Sequence, residues 1–260
     1  SSHQGKDFAA ICTALVDGGY RCGAFILDAV HFVPQSRPRL FFVAVRETHG
    51  IPHELMRSEP DSLLHPSRLI AAYERLSSKV RKTWIWWKLP TPASRETALA
   101  DFIEDCPRGV VRHAPAQTRR LLSLMSPLNR QKVEKAKTDR RRIVGCAYRR
   151  TRIAEDGGRV QRVEVRFDDV AGCLRTPAGG SSRQTIVMVE GGKIRSRLLS
   201  PREGARLMGL SDAYQLPENY TEAYHLVGDG VVVPVVRFLA AHLLEPLSAF
   251  REPRGEDEAA

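Results

Sequence analysis

The sequence predicts an α/β chain whose regular elements are interrupted by a long mixed α+β insert. Three observations predict it. The first 46 residues read as helix, strand, strand, like the tail of an α/β domain. Residues 47–197 then loosen into short strands, helices and turns that carry a concentrated positive charge. From 198 onward the pattern tightens into two well-delimited helices. The expected divisions are therefore 1–46, 47–197, 198–248 and a charged, Pro/Gly-containing tail, 249–260, whose composition predicts disorder.

Apolar residues Phe8, Ile11, Cys12, Leu15 and Val16 recur at helical spacing, and Gly18-Gly19 stands where a C-cap belongs. Tyr20 to Val30 is short and strand-like. Phe32 then leads into Pro34-Gln35-Ser36-Arg37-Pro38-Arg39 and an apolar run, Leu40 to Val45, expected to be a buried strand. In the insert, prolines from Pro52 to Pro127 limit element length. Gly157-Gly158 marks a hairpin turn, and Val163, Val165 and Phe167 alternate with Glu164 and Arg166 as in a half-exposed strand. Ser200, Pro201 and Glu203 form the N-cap, first position and capping box of a helix that Gly209 ends. A last helix is expected to follow Gly228-Asp229-Gly230 and to run from about Val232 to Leu244, with Pro234 tolerated in its first turn.

With 42% hydrophobic and 27% charged residues, the 260-residue chain has the composition of a soluble globular protein. No apolar run approaches the ~20 residues of a membrane helix, so no membrane partner is expected. The first six residues resemble neither a signal nor a transit peptide, and the missing initiator Met predicts a fragment or a processed product. Five scattered cysteines without C-x-x-C predict reduced thiols in a cytoplasmic compartment, and neither a disulfide framework nor a zinc site. No other metal site is expected: only His49 and His53 have H-x-x-x-H spacing, with Pro52 between them and no Glu. The formal charge of +10 points to a polyanionic partner. Between Arg119 and Arg152 lie twelve Lys/Arg against two acids, Glu134 and Asp139. Arg140, Arg141, Arg142, Arg149, Arg150 and Arg152 are the candidate phosphate contacts; the alternative is a solvated basic face. Trp84, Trp86 and Trp87 pack a core or stack on bases, and Lys193 to Arg197 contacts phosphate or forms the solvated edge of a hairpin.

Gln35, Arg37 and Arg39 alternate, so in extended backbone their side chains share one face at the mouth of a sheet. Pro38 biases Arg37 towards that conformation. Two guanidinium forks on one edge suit a phosphate or a polarised carbonyl; solvated arginines on an edge strand are the alternative.

Three elements stand in fixed order: Pro34 to Arg39, then Arg197-Leu198-Leu199-Ser200-Pro201-Arg202-Glu203-Gly204-Ala205-Arg206-Leu207-Met208-Gly209, then Gly228-Asp229-Gly230-Val231-Val232-Val233-Pro234-Val235. With a basic region between the first two, this resembles the C-terminal half of the DNA cytosine-5 methyltransferases. Their Q-x-R-x-R element, target recognition domain, R-x-L-[ST]-x-R-E-x-A-R-L element and terminal G-[ND]-x-V-x-x-P-V element follow the same order. Arg175 to Ser182 is similar to the Thr- and Gly-rich segment near the end of that recognition domain. The resemblance implies the end of an S-adenosylmethionine-dependent, Rossmann-like methyltransferase domain in 1–46, a target recognition domain in 47–197 and a return to the catalytic domain in 198–248. It implies base flipping of a cytosine in duplex DNA and methylation at C5, as in restriction-modification. By resemblance Arg39 holds the flipped cytosine through its carbonyl oxygen, Arg37 braces the active-site loop or the flanking phosphate, and Gln35 joins that network. Thr176 touches backbone phosphate, and Gly228, Asp229, Gly230 and Val231 border the S-adenosylmethionine pocket. Asp229 departs from the more usual Asn.

The family's F-x-G-x-G loop, Pro-Cys nucleophile and Glu-Asn-Val element do not occur; Glu218-Asn219-Tyr220 is the nearest echo, and no cysteine follows a proline. The resemblance therefore implies that an N-terminal half or subunit carries the nucleophile and most of the cofactor site, and that the chain alone is inactive. Its expected place is the cytoplasm of a bacterial or archaeal cell, on the nucleoid when bound to DNA. Two other classes are a non-catalytic basic DNA-binding remnant and part of an RNA cytosine-5 methyltransferase.

Overall fold

A computed structural model of the chain describes residues 5–153, 157–176 and 183–250. The chain forms two compact units: Ser1–Asp28, Pro38–Pro92 and Val236–Ala260 in the first, Ala29–Arg37 and Ala93–Val235 in the second. The segment 47–197 is thus divided between them. Most of the tail and most of the Thr- and Gly-rich segment, from Pro177 onward, fall outside the described residues.

In the first unit, α1 (Lys6–Asp17) forms where the helical spacing places it and buries Cys12 and Val16. It closes at Gly18, and Gly19 takes the left-handed conformation (φ 77°) that a side chain disfavours. The chain then turns into β1 (Tyr20–Asp28), which pairs antiparallel with β2 (Pro38–Arg46) from Tyr20↔Arg46 to Asp28↔Pro38. Cys12, Val16 and Cys22 pack with Leu76, in the turn after α2 (Ser67–Glu74), and with Val80 on α3 (Ser78–Lys82). A short ladder joins β3 (Met56–Arg57) to β4 (Trp86–Trp87). The tryptophans belong to this core: Trp87 is fully buried, and the Trp84 ring lies 5.3 Å from Tyr73 and 5.5 Å from Trp86. Gly23 on β1 is required here, since a Cβ would stand 1.9 Å from the Ile85 carbonyl oxygen.

In the second unit four strands form an antiparallel sheet: β5 (Ile143–Ile153), β6 (Arg159–Arg166), β7 (Thr185–Glu190) and β8 (Lys193–Leu198), in the order β6-β5-β7-β8. Two helices, α4 (Pro115–Ser123) and α5 (Pro127–Thr138), lay Leu121, Val133 and Ala136 on Ala147, Val163, Val165, Val187 and Val189. The alternation expected around Val163 and Val165 faces this core. Next comes α6 (Pro201–Leu207), capped as its sequence predicts: Ser200 Oγ accepts from the Glu203 N–H, and a Glu203 carboxylate oxygen accepts from the Ser200 N–H.

Some expectations need correction. Gly228 and Asp229 end a helix that the sequence did not predict, α7 (Tyr220–Asp229), capped by Asn219, while the last helix follows them as expected. The following helix, α8 (Val233–Leu239), passes through a π turn at Ala240–Leu244 into α9 (Glu245–Ala249), so helical backbone continues past Leu244. Also, Tyr220–Ala249 does have the length and mean hydropathy of a membrane span. It is interrupted at Gly230–Val232 and carries Glu222, Asp229, Arg237 and Glu245. The sheets are antiparallel, so the described residues have the mixed α/β content expected without a parallel Rossmann-like sheet.

A latch of carbonyls and arginine as candidate functional site

Gln35 and Arg37 do not lie on β2, the strand that carries Arg39. A tight turn at Ala29–His31 and the bonds of Phe32 and Val33 N–H to Ala29 O fold this segment back before β2 starts at Pro38. Gln35 pairs instead with Ala171 in a single bridge, flanked by Ala171 N–H to Pro34 O (2.8 Å) and Ser36 N–H to Ala171 O (3.0 Å).

Both side chains are buried: Gln35 is 0% and Arg37 3% exposed. Gln35 Oε1 accepts from the Leu174 N–H at 3.1 Å, and Nε2 donates to Leu207 O at 2.8 Å. Arg37 donates to Leu174 O and, at 2.8 Å each, to Gly228 O and Gly230 O. The last carbonyls of a helix have no partner within it and carry its negative dipole end, which suits a buried guanidinium. Arg37 therefore fixes the end of α7 to the 171–174 segment, and Gln35 ties the end of α6 to the same place.

The latch collects residues far apart in sequence. Thr176 donates its hydroxyl to Asp229 Oδ1. Gly228 has no room for a side chain: a Cβ would lie 2.7 Å from the Thr176 nitrogen. Gln35, Arg37, Thr176, Gly228, Asp229 and Gly230 thus form one connected cluster in the second unit. Arg39 is exposed on β2 in the first unit and donates to Pro38 O at 3.0 Å. Val231 is half exposed.

Tested against S-adenosylmethionine, this turn offers no cradle. The space a Cβ would take at Gly228 is filled by the chain's own backbone, two carbonyls are taken by Arg37, and the Asp229 carboxylate is taken by Thr176. No group of three or more His, Cys, Asp or Glu suited to a metal occurs among the described residues.

The six candidate DNA-contacting arginines are all exposed, and four have acids beside them. Arg141 meets Asp139 at 2.9 Å, and Arg142 meets Asp105 at 2.8 Å. Arg150 lies 3.8 Å from Glu164, which also holds Arg152. The hydrogen bond from Arg141 pulls the Asp139 carboxyl down to about 2.

Sequence reasoning missed Arg197. It is wholly buried, not a solvated hairpin edge, and its guanidinium grips the equally buried Glu203 at 2.6 and 2.8 Å. Glu203 also accepts from the Glu104 N–H at 2.8 Å. The capping box was the available signal: it turns the Glu203 carboxylate back towards the strand end where Arg197 sits.

Comparison with known proteins gives the family. The model for C-5 cytosine-specific DNA methylases matches residues 1–245. The type II methyltransferase M.HhaI of Haemophilus parahaemolyticus is 28% identical over 246 residues, which are 94% of this chain and 59% of M.HhaI. The type II methyltransferase M.NlaX of Neisseria lactamica is 39% identical over 64 residues, 25% of this chain and 20% of M.NlaX. The chain therefore spans well under two thirds of the length of these relatives. Among solved structures, the Dnmt2 methyltransferase of S. pombe aligns with 93% of this chain and 64% of its own at 17% identity and a TM-score of 0.46. With the family model covering nearly all of its length, the chain belongs to the C-5 cytosine-specific DNA methylases.

Proposed function

We propose that this chain is the C-terminal portion, subunit or fragment, of a DNA cytosine-5 methyltransferase of the restriction-modification kind. In this reading 47–197 supplies target recognition on duplex DNA, and a complementary N-terminal portion supplies the Pro-Cys nucleophile and most of the cofactor site. The observation that carries it is the state of β2. Its central residues Phe41, Phe42, Val43 and Ala44 are only half-buried, and among the described residues β1 is its one partner strand. An apolar strand in a two-stranded sheet is incompletely stabilised, which fits a surface shaped to receive more structure.

The methyl donor of the family is S-adenosylmethionine, which supplies an electrophilic methyl group when bound. This chain's own residues do two things. Arg39, exposed and fixed at the head of β2, holds the flipped cytosine through its carbonyl oxygen and stabilises charge that develops there. Gln35 and Arg37 hold the Thr176 segment against Gly228–Gly230, which positions Thr176 beside the backbone phosphate. The reading places the chain in the cytoplasm of a bacterial or archaeal cell, where the DNA is.

The test is reconstitution: this chain, an N-terminal counterpart, and the two mixed, each assayed for transfer of labelled methyl to duplex DNA. Transfer is expected from the mixture alone. No transfer from the mixture, with both parts folded, overturns the proposal; salt-steep duplex binding without transfer leaves a non-catalytic DNA-binding module, which the net charge favours.

A further inference from the structure

A second candidate site lies wholly within the second unit, away from the latch. A cavity of about 360 Å³ opens between α4, Lys137 near the end of α5 and the β7–β8 turn. Arg112, Arg119, Lys137 and Arg195 line it together with His113 and Thr118, and no acidic side chain does.

The cavity is built, not a chance gap. Arg112 pairs with Arg197 in a single bridge, and the His113 N–H donates to Ser196 O at 2.9 Å, which stitches the loop before α4 to β8. Beneath it, Ser196 Oγ lies 2.9 Å from both His113 Nδ1 and Thr118 Oγ1, and Ser196 is 1% exposed. Gly191 and Gly192, at φ 53° and 73°, make the tight turn that brings Arg195 back to the cavity. Burial, and then the charge of Arg149, push the His113 ring below its usual range, so the floor is neutral and hydrogen-bonded while the rim is cationic.

Charge balance sets this cavity apart from the arginines of 140–152. Lys137 has Glu134 at 2.7 Å and Arg195 has Glu190 at 4.0 Å, but neither acid lines the cavity. Arg112 and Arg119 have no acid within ion-pair distance among the described residues. Four cations around one opening repel one another, and an oxyanion between them relieves that repulsion while matching the paired donors of guanidinium. Resting on the reading of the chain as a DNA methyltransferase portion, we propose that this cavity is a phosphate-binding site that takes a backbone phosphate of duplex DNA.

The experiment uses the full chain, a double variant Arg119→Gln/Arg195→Gln, and Lys6→Gln/Arg237→Gln, both exposed and outside 47–197, as an equal loss of charge elsewhere. Duplex affinity is measured across salt concentrations, and pyrophosphate binding by titration calorimetry, with urea midpoints confirming that each variant folds. The cavity variant is expected to lose about 0.9 from the salt slope, one phosphate contact, and to lose pyrophosphate binding; the Lys6/Arg237 variant keeps both. Pyrophosphate binding that depends on the cavity, without duplex binding, supports the phosphate site with a free phosphate as its source and overturns the DNA reading. Duplex binding with an unchanged slope overturns the site and leaves the DNA reading standing. Binding of neither overturns both.

Discussion

Arg37 is buried and Arg39, two residues on, is exposed, a difference that substitution separates. Arg37→Met leaves two buried carbonyls and a partly buried one without their donor, and at about 1–3 kcal/mol for an unsatisfied buried group it should lower unfolding stability by several kcal/mol, read as a fall in the urea midpoint. Arg39→Ala should leave the midpoint unchanged, because its side chain is exposed, and yet abolish methyl transfer in the reconstituted enzyme; unchanged turnover would remove Arg39 from the cytosine pocket. The sequence grouped these residues on one face and did not reveal that one is buried, because alternation implies a shared face only where the backbone is extended. His65 gives a further residue-scale expectation. It is buried, its Nδ1 accepts from the Asp61 N–H, and burial holds it below its ordinary 6.5. As pH falls through 6.5 the unfolded chain binds the proton first, so stability is full above that pH and declines below it. His113 shifts in the same direction. Melting temperature against pH checks this: His65→Leu should start lower and show a shallower acid slope.

At the scale of elements, α6 is anchored through its first turn to the end of β8. Glu203→Gln strands the buried Arg197 charge and should cost about 3–5 kcal/mol in urea unfolding, whereas joint replacement of the pair by Met and Leu should recover part of it. Gly23→Ala should be as severe by a different route. Its new methyl meets backbone at the Ile85 carbonyl, which no rotamer can relieve, so β1 must move and about 3 kcal/mol or more is lost. Local sequence signals located α1 and α6 well, because both rest on contacts within a few residues: the cap at Ser200, the glycines after Asp17. The start of α8 was legible, but α7 was not, because Gly228 looks like an opening turn in isolation. Its reason is the backbone at Thr176, 52 residues earlier, and local sequence carries no trace of that contact.

For the whole molecule, the half-buried face of β2 bears on more than catalysis. A strand rich in aromatic and β-branched residues with one unpaired side is a template for any other strand that meets it. Pro38, Arg39 and Arg46 flank the apolar run from Leu40 to Val45 as a proline and two charges, the residue types that act as gatekeepers against edge-to-edge stacking. If the proposed function holds, Arg39 has a second duty in the chain alone: to keep β2 from pairing with the wrong strand. Expressed alone, the chain should self-associate through this edge, and replacing Arg39 should speed that aggregation even where the folded state is untouched.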